Sequence, residues 1–386
     1  MNEPLPPDRG MRATDIPRDP GQLFDAVLRK SIELGASDVH VTAGNPYRVR
    51  INGMIRALQG TPPLTPGDTE VIARRILVTS KRATSEDADE RVRELRDFDC
   101  SYGLTGAGRF RVNMCSQRGS VALVLRSIPM RIPGFDELGL PAVLARIAEA
   151  ERGMVLVTGV TGSGKSTTIA AMLDHINRNR NLKIITIEDP IEYLHKDARC
   201  TVLQREVGSD TESFAKAMRA ALRQDPDVIM VGEMRDRETV DIALKAAETG
   251  HLVLSTLHTA DVVKTIQRVI GVYDLSEMAA ARLRLAENLE AIVAQRLIPR
   301  TDIQGRLPAV EVMRTTLAIR ESIVNPEKTD VIRDLIEKGA DQYGMQTFDR
   351  HLRQLLQGGM ISFETARAAA TSPADFERNL HFTKNE

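Results

Sequence analysis

The stretch Gly159-Val160-Thr161-Gly162-Ser163-Gly164-Lys165-Ser166 constrains this 386-residue chain more than any other. It follows the pattern G-x-x-x-x-G-K-[ST], and each fixed position has a physical cause. Glycines let successive backbone N–H groups converge on a phosphate with no Cβ in the way, and the N-terminus of a following helix adds positive potential. Lys165 can then reach the β- and γ-phosphates, and the Ser166 hydroxyl can ligate Mg²⁺. The context fits: the apolar run Met154–Thr158 precedes the loop, and an Ala/Ile/Leu-rich stretch follows it. Residues 159–166, with Thr167 beside them, therefore predict binding of a nucleoside triphosphate. Its use stays open at this point.

The texture around the loop predicts the fold. Short, fully apolar, β-branched runs (Met154–Thr158, Lys183–Ile187, Asp227–Val231, His251–Thr256) alternate with helical segments. That is the pattern of an α/β domain with a mostly parallel sheet covered on both faces. From about residue 275 the pattern reads as a C-terminal helical bundle. Upstream, residues 1–20 carry Pro4, Pro6, Pro7, Pro17 and Pro20 and read as a disordered tail. Asp19 is a plausible N-cap for a helix through Phe24, Leu28 and Ile32, ended by Gly35. Strands follow at Asp38–Thr42 and Tyr47–Ile51, the second entering an Asn52-Gly53 turn, and Thr65-Pro66 opens another helix. The charge-rich residues 81–97 read as a solvated face or surface insertion. Alternating segments around Phe98–Tyr102, Arg109–Met114 and Val121–Arg126 suggest an antiparallel sheet. The expected organisation is a tail at 1–20, a small α+β domain at 21–126, a linker at 127–140, and the α/β domain with its helical bundle at 141–378.

Composition narrows the function classes. With 52 Lys+Arg against 53 Asp+Glu, the chain lacks the basic excess of a protein that coats nucleic acid. Cys100, Cys115 and Cys200 are scattered and form no C-x-x-C pair, so neither a disulfide framework nor a structural zinc site is expected. No apolar stretch is long enough to cross a bilayer, so any membrane work is expected to proceed by docking.

Further candidates lie where apolar strands end. Val228–Val231 leads into Gly232-Glu233, and a carboxylate at that end can orient the water that attacks a γ-phosphate. A helix-capping acid in Glu233-Met234-Arg235-Asp236 is the alternative reading. Ile187–Glu192 repeats the logic with clustered acids, which repel unless a cation neutralises them; a solvated strand end explains them equally. His251 and His258 flank a third strand, and only His258 sits at its carboxyl end. Arg109, Arg111, Arg118 and Arg126 form a stripe that reads either as a solvated sheet face or as a charge-neutralising group supplied by a neighbour in a ring.

These segments together resemble the secretion ATPase superfamily, and within it the type IV pilus retraction ATPases, the PilT family. The resemblance covers about residues 22–378. It rests on Ser37-Asp38-Val39-His40, Gly108-Arg109-Phe110-Arg111-Val112-Asn113, the phosphate loop, the acidic box Ile187–Tyr193, Asp225–Asp236 with Glu233 in place of the usual Asp, and the His box Gly250–Thr259. Gln295-Arg296-Leu297 and Gly344-Met345-Gln346-Thr347-Phe348-Asp349 also match. The family implies a PAS-like first domain, a RecA-like ATPase domain and a homohexamer that hydrolyses ATP with Mg²⁺. It implies docking on an inner-membrane pilus platform protein at the cytoplasmic face, with no nucleic acid bound. It assigns Lys165 and Ser166 to phosphate and Mg²⁺, Glu233 to water activation and His258 to the γ-phosphate region. Glu192 fits the acidic-box carboxylate, and Arg109 and Arg111 the neutralising residues.

Pilus-assembly and type II secretion ATPases usually carry an N-terminal extension and a late four-cysteine zinc module. Neither is found here, which favours pilus retraction. One stretch departs from the retraction pattern A-I-R-N-L-I-R-E: Ala318–Asn325 reads A-I-R-E-S-I-V-N, leaving room for an accessory retraction paralogue. A nucleotide-binding regulatory subunit without turnover is the reading from outside the class, and Glu233 speaks against it.

Overall fold

Two sheets of opposite character organise the chain. The computed structural model describes Met11 and residues 17–383, apart from Met130 and Gln304. Most of the expected tail at 1–20 lies outside the described residues. One compact unit reaches to residue 130 and includes Glu192–Leu194; the other takes the rest from Arg131 onward.

In the first unit, the Asp19 carboxylate caps the helix Pro20–Glu33 by accepting from Gln22 N at 2.8 Å. Strands β1 (Asp38–Thr42), β2 (Arg48–Ile51) and β3 (Met54–Ala57) precede a second helix, Pro66–Thr79. Thr65 and Asp68 close that helix's N-terminus reciprocally, the two-way cap that a Thr-x-x-acid spacing provides. Strands β4 (Asp97–Leu104), β5 (Gly108–Gln117) and β6 (Ser120–Ile128) complete an antiparallel sheet of order β3-β2-β1-β6-β5-β4. Alternation sends Val39, Val41, Val112 and Leu125 into one core with Phe24, Leu28, Ile72 and Ile76 of the helices. The charge-rich segment 81–97 is mostly exposed, as a solvated face would be. It holds a helix, Ala88–Glu94, whose Ala88 and Val92 are buried along with Leu95, so the charges surround a short apolar stripe.

The second unit is built on β7 (Gly153–Thr158), β8 (Lys183–Glu188), β9 (Thr201–Glu206), β10 (Val228–Val231), β11 (Leu252–Leu257), β12 (Leu289–Pro299) and β13 (Arg306–Arg314). Their order is β13-β12-β7-β11-β10-β8-β9. Every neighbouring pair is parallel except β12–β13. Separate cores on the two faces bury β7, β10 and β11 completely, which is why those strands read as mostly apolar runs with no charged residue.

Residues 289–314 correct the helical expectation for everything beyond 275. They form a hairpin that extends the sheet, and helices resume only at Leu317–Val324. Ala291–Ala294 are buried on both sides, and a run apolar in both registers carries no period that separates strand from buried helix. The Arg296 guanidinium lies 4.0 Å from the Phe348 ring centre and donates to Ala369 O at 2.6 Å. Gln346 exchanges backbone bonds of 2.8 and 3.1 Å with Val312. The sequence patterns 295–297 and 344–349 thus fasten the last helices to the sheet.

Two histidines, His351 buried and His195 half-buried, set a pH limit on this unit. Burial pushes His195 and His351 from 6.5 down to about 4, and His351 Nδ1 accepts the Val310 N–H at 3.0 Å, which requires an unprotonated nitrogen. Between those values the unfolded chain binds the protons and the folded chain does not. The stability contributed is complete above about pH 6.5 and is lost as pH falls toward 4. The melting temperature should therefore drop through that window, and His351→Asn, whose amide oxygen can take over the acceptor role, should shallow the drop. Thermal melts with the same slope in both proteins would refute the assignment.

Candidate nucleotide site

The loop after β7 has the backbone that its glycines allow. Gly159 has φ +148°, and a Cβ there would stand 2.4 Å from both Gln295 O and Ser163 Oγ. Gly164 has φ +90°, where a Cβ would stand 3.0 Å from Gln295 Nε2. Lys165 opens the helix Lys165–Asn179; its ammonium curls back, donating to Gly159 O at 2.8 Å and Val160 O at 3.2 Å. Ser163 Oγ is buried and has no hydrogen-bond partner among the described residues. A tight cradle with an inward ammonium and an unpaired hydroxyl fits a phosphate group. Ser166 and Thr167 follow on the helix's first turn, half-buried. Gln295 braces the cradle, donating from Nε2 to Ser163 O at 2.6 Å. Sequence reading placed Gln295 only in a matching pattern; nothing local ties it to a loop 132 positions away.

Strand order decides what faces the loop. β11 lies between β7 and β10, so His258 at the end of β11 stands between Lys165 and Glu233. His258 Nδ1 is 3.5 Å from Lys165 Nζ, and His258 Nε2 is 3.6 Å from Glu233 Oε1. Burial and the Lys165 ammonium hold the His258 ring below the ordinary histidine value, against the pull of Glu233. Glu233 Oε1 also accepts from Arg235 Nε at 2.5 Å, a pairing the sequence did not announce. Glu233 is not the cap of the next helix. Asp236 takes that role, accepting from Thr239 N at 2.9 Å. His251, at the far end of β11, is occupied with the Ala246 carbonyl at 2.9 Å.

The acidic cluster resolves into separately partnered groups. Glu188 is buried and accepts from Thr186 Oγ1 at 2.6 Å and Gln204 Nε2 at 3.1 Å. Glu192 groups with the first unit, 3.5 Å from Arg111 Nη1. Arg109 lies two residues before Arg111 on β5, half-buried. The rest of the arginine stripe has other duties. Arg126 Nε binds the buried Asp38 at 2.9 Å, and Arg118, at φ +49°, sits in the turn from β5 to β6.

A cleft opens beside Gly164, lined by Thr167, Thr168, Leu297, Pro308, Glu137 and Arg300. Its far wall is the β12–β13 hairpin, so the missed strands and the missed wall have one origin.

A phosphate loop on a buried parallel strand, with a carboxylate two strands over and a histidine between them, defines a P-loop ATPase of RecA-like fold. The family model described as Type II/IV secretion system protein matches residues 20–375. The chain belongs to that family, on its pilus retraction (PilT) branch. It is 43% identical over 350 residues to the type IV pilus retraction ATPase PilT of Pseudomonas aeruginosa, covering 91% of this chain and 98% of that one. It is 40% identical over 358 residues to the type IV pilus ATPase PilU of the same organism, covering 91% and 90%. A crystal structure of the pilus retraction motor PilT with bound ADP superposes with a TM-score of 0.82 at 46% identity, covering 92% of this chain and 99% of that one.

Proposed function

We propose that this protein is a Mg²⁺-dependent ATPase motor that drives retraction of type IV pili. It works as a homohexamer docked on an inner-membrane platform protein at the cytoplasmic face. The observation that carries the reading is the line Lys165–His258–Glu233, a phosphate-binding cation, an uncharged imidazole and a carboxylate within one site. The relation to a pilus retraction ATPase over nearly the full length of both chains gives that chemistry its mechanical role.

In this reading the Lys165 ammonium exchanges its loop carbonyls for β- and γ-phosphate oxygens. Ser166 holds Mg²⁺, which supplies charge neutralisation on the phosphates. Glu233 orients the attacking water, and His258 links the γ-phosphate region to Glu233. Leu297 and Pro308 give the cleft an apolar wall suited to a base, and Glu137 an acceptor for ribose hydroxyls. Arg111 and Arg109 bring positive charge from the 21–126 domain, with residues 127–140 as the hinge to the 141–378 domain. Arg111 and Glu192 are each 44% exposed, and such a pair contributes only about 0–1 kcal/mol, so a polyphosphate can draw Arg111 away. Glu192 holds the guanidinium until then.

The test is genetic. Cells lacking the protein should keep or gain surface pili and lose pilus-driven movement. Bald cells would make it an assembly motor instead. Piliated cells that still retract would favour an accessory paralogue. That second reading is supported by the PilU relation and by Glu321-Ser322 within the helix Leu317–Val324.

A further inference from the structure

We propose that Arg235 is the positioning residue of the hydrolytic carboxylate: it fixes Glu233 Oε1 in a charge-assisted hydrogen bond and leaves Oε2 to receive the attacking water. The inference rests on the reading of Glu233 as the water-activating group. Arg235 Nε donates to Oε1 at 2.5 Å, and the same oxygen is the one nearest His258, at 3.6 Å. Among the described residues Oε2 has no partner. Met234, between the two, is 1% exposed and anchors the segment in the core. The Glu233 side chain is 19% exposed and that of Arg235 76%, so the carboxylate is sheltered while most of the Arg235 side chain faces solvent.

A carboxylate free to rotate offers either oxygen in many directions; one pinned at Oε1 offers a single remaining acceptor, which is how orientation lowers a barrier. Charge points the same way. Facing Glu233 are Arg235 from its own loop, His258 from the end of β11 and Lys165 beyond it. From the end of β8 come Asp189, which acts on Arg235, and Glu188, whose Cα is 3.4 Å from where a Gly232 Cβ would stand. Among these groups Arg235 is the cation bonded directly to the carboxylate.

The experiment measures kcat and KM for ATP against pH in the full-length protein, with Arg235→Gln and Arg235→Lys beside the wild type. Arg235→Gln should lower kcat about tenfold with KM within about twofold, and shift the acid limb of the kcat profile toward neutral by about one pH unit. Arg235→Lys, which restores the charge, should return the limb to its wild-type position and recover part of kcat. A melting temperature unchanged in both variants is expected from so exposed a residue. An acid limb unmoved in Arg235→Gln would overturn the proposal, whatever happens to kcat. Glu233→Gln separates the two levels. If it is inactive while Arg235→Gln behaves as wild type, only the role of Arg235 falls; if it turns over normally, the reading of Glu233 itself falls.

Discussion

Glu233→Gln is expected to bind MgATP with near-normal affinity and to hydrolyse it at least about 100-fold more slowly, whereas Lys165→Ala should lose both binding and turnover. The difference follows from when each group acts. Lys165 stands inside the phosphate cradle, its ammonium against Gly159 O and Val160 O, and meets a charged ligand already in the ground state. Glu233 is separated from Lys165 by the His258 ring, and in the proposed role it would contribute only as the water attacks. Nucleotide binding by equilibrium fluorescence beside steady-state hydrolysis separates the two. Near-normal turnover by Glu233→Gln would remove it from the catalytic role.

Arg111→Ala is expected to have the other large effect if Arg111 acts on a nucleotide as proposed. An arginine brought to a nucleotide by a neighbouring subunit is worth roughly 10³–10⁵ in turnover. If Arg111 or Arg109 plays that part, activity should rise with oligomerisation. Rings mixed from wild-type and Arg111→Ala subunits should then fall below the activity expected from the wild-type fraction alone. The loss cannot come from the Arg111–Glu192 pair itself, which is exposed and screened. Activity that falls in proportion to the mutant fraction argues against cooperative sites, and a fully active monomer would end the proposal for both arginines.

The parts of the site legible in the sequence are those whose chemistry is local. A phosphate cradle needs a few consecutive backbone conformations and a lysine at fixed spacing, and residues 159–166 state both. Glu233 and His258 were visible singly, as polar residues where apolar strands end. Their closeness was not, because it depends on β11 lying between β7 and β10. Gln295 and Arg235 were missed for different reasons. Gln295 acts across the sheet, while Arg235 sits two residues from Glu233 in a loop whose shape no local pattern dictates. The reading of 289–314 as helix failed because its centre, Ala291–Ala294, is buried on both faces and apolar at every position, so it shows no period.

The sequence by itself determined the phosphate loop, the Asn52-Gly53 turn with both residues at positive φ, and the helix starts capped by Asp19 and Thr65. Each is settled by the torsional freedom and hydrogen-bonding reach of a few adjacent residues. Tertiary structure alone decided the sheet order, the hairpin that walls the cleft, the brace from Gln295 to Ser163, and which acids meet which partners. Those depend on groups as far apart in the chain as Lys165 and His258, 93 positions, meeting only once the strands between them have packed.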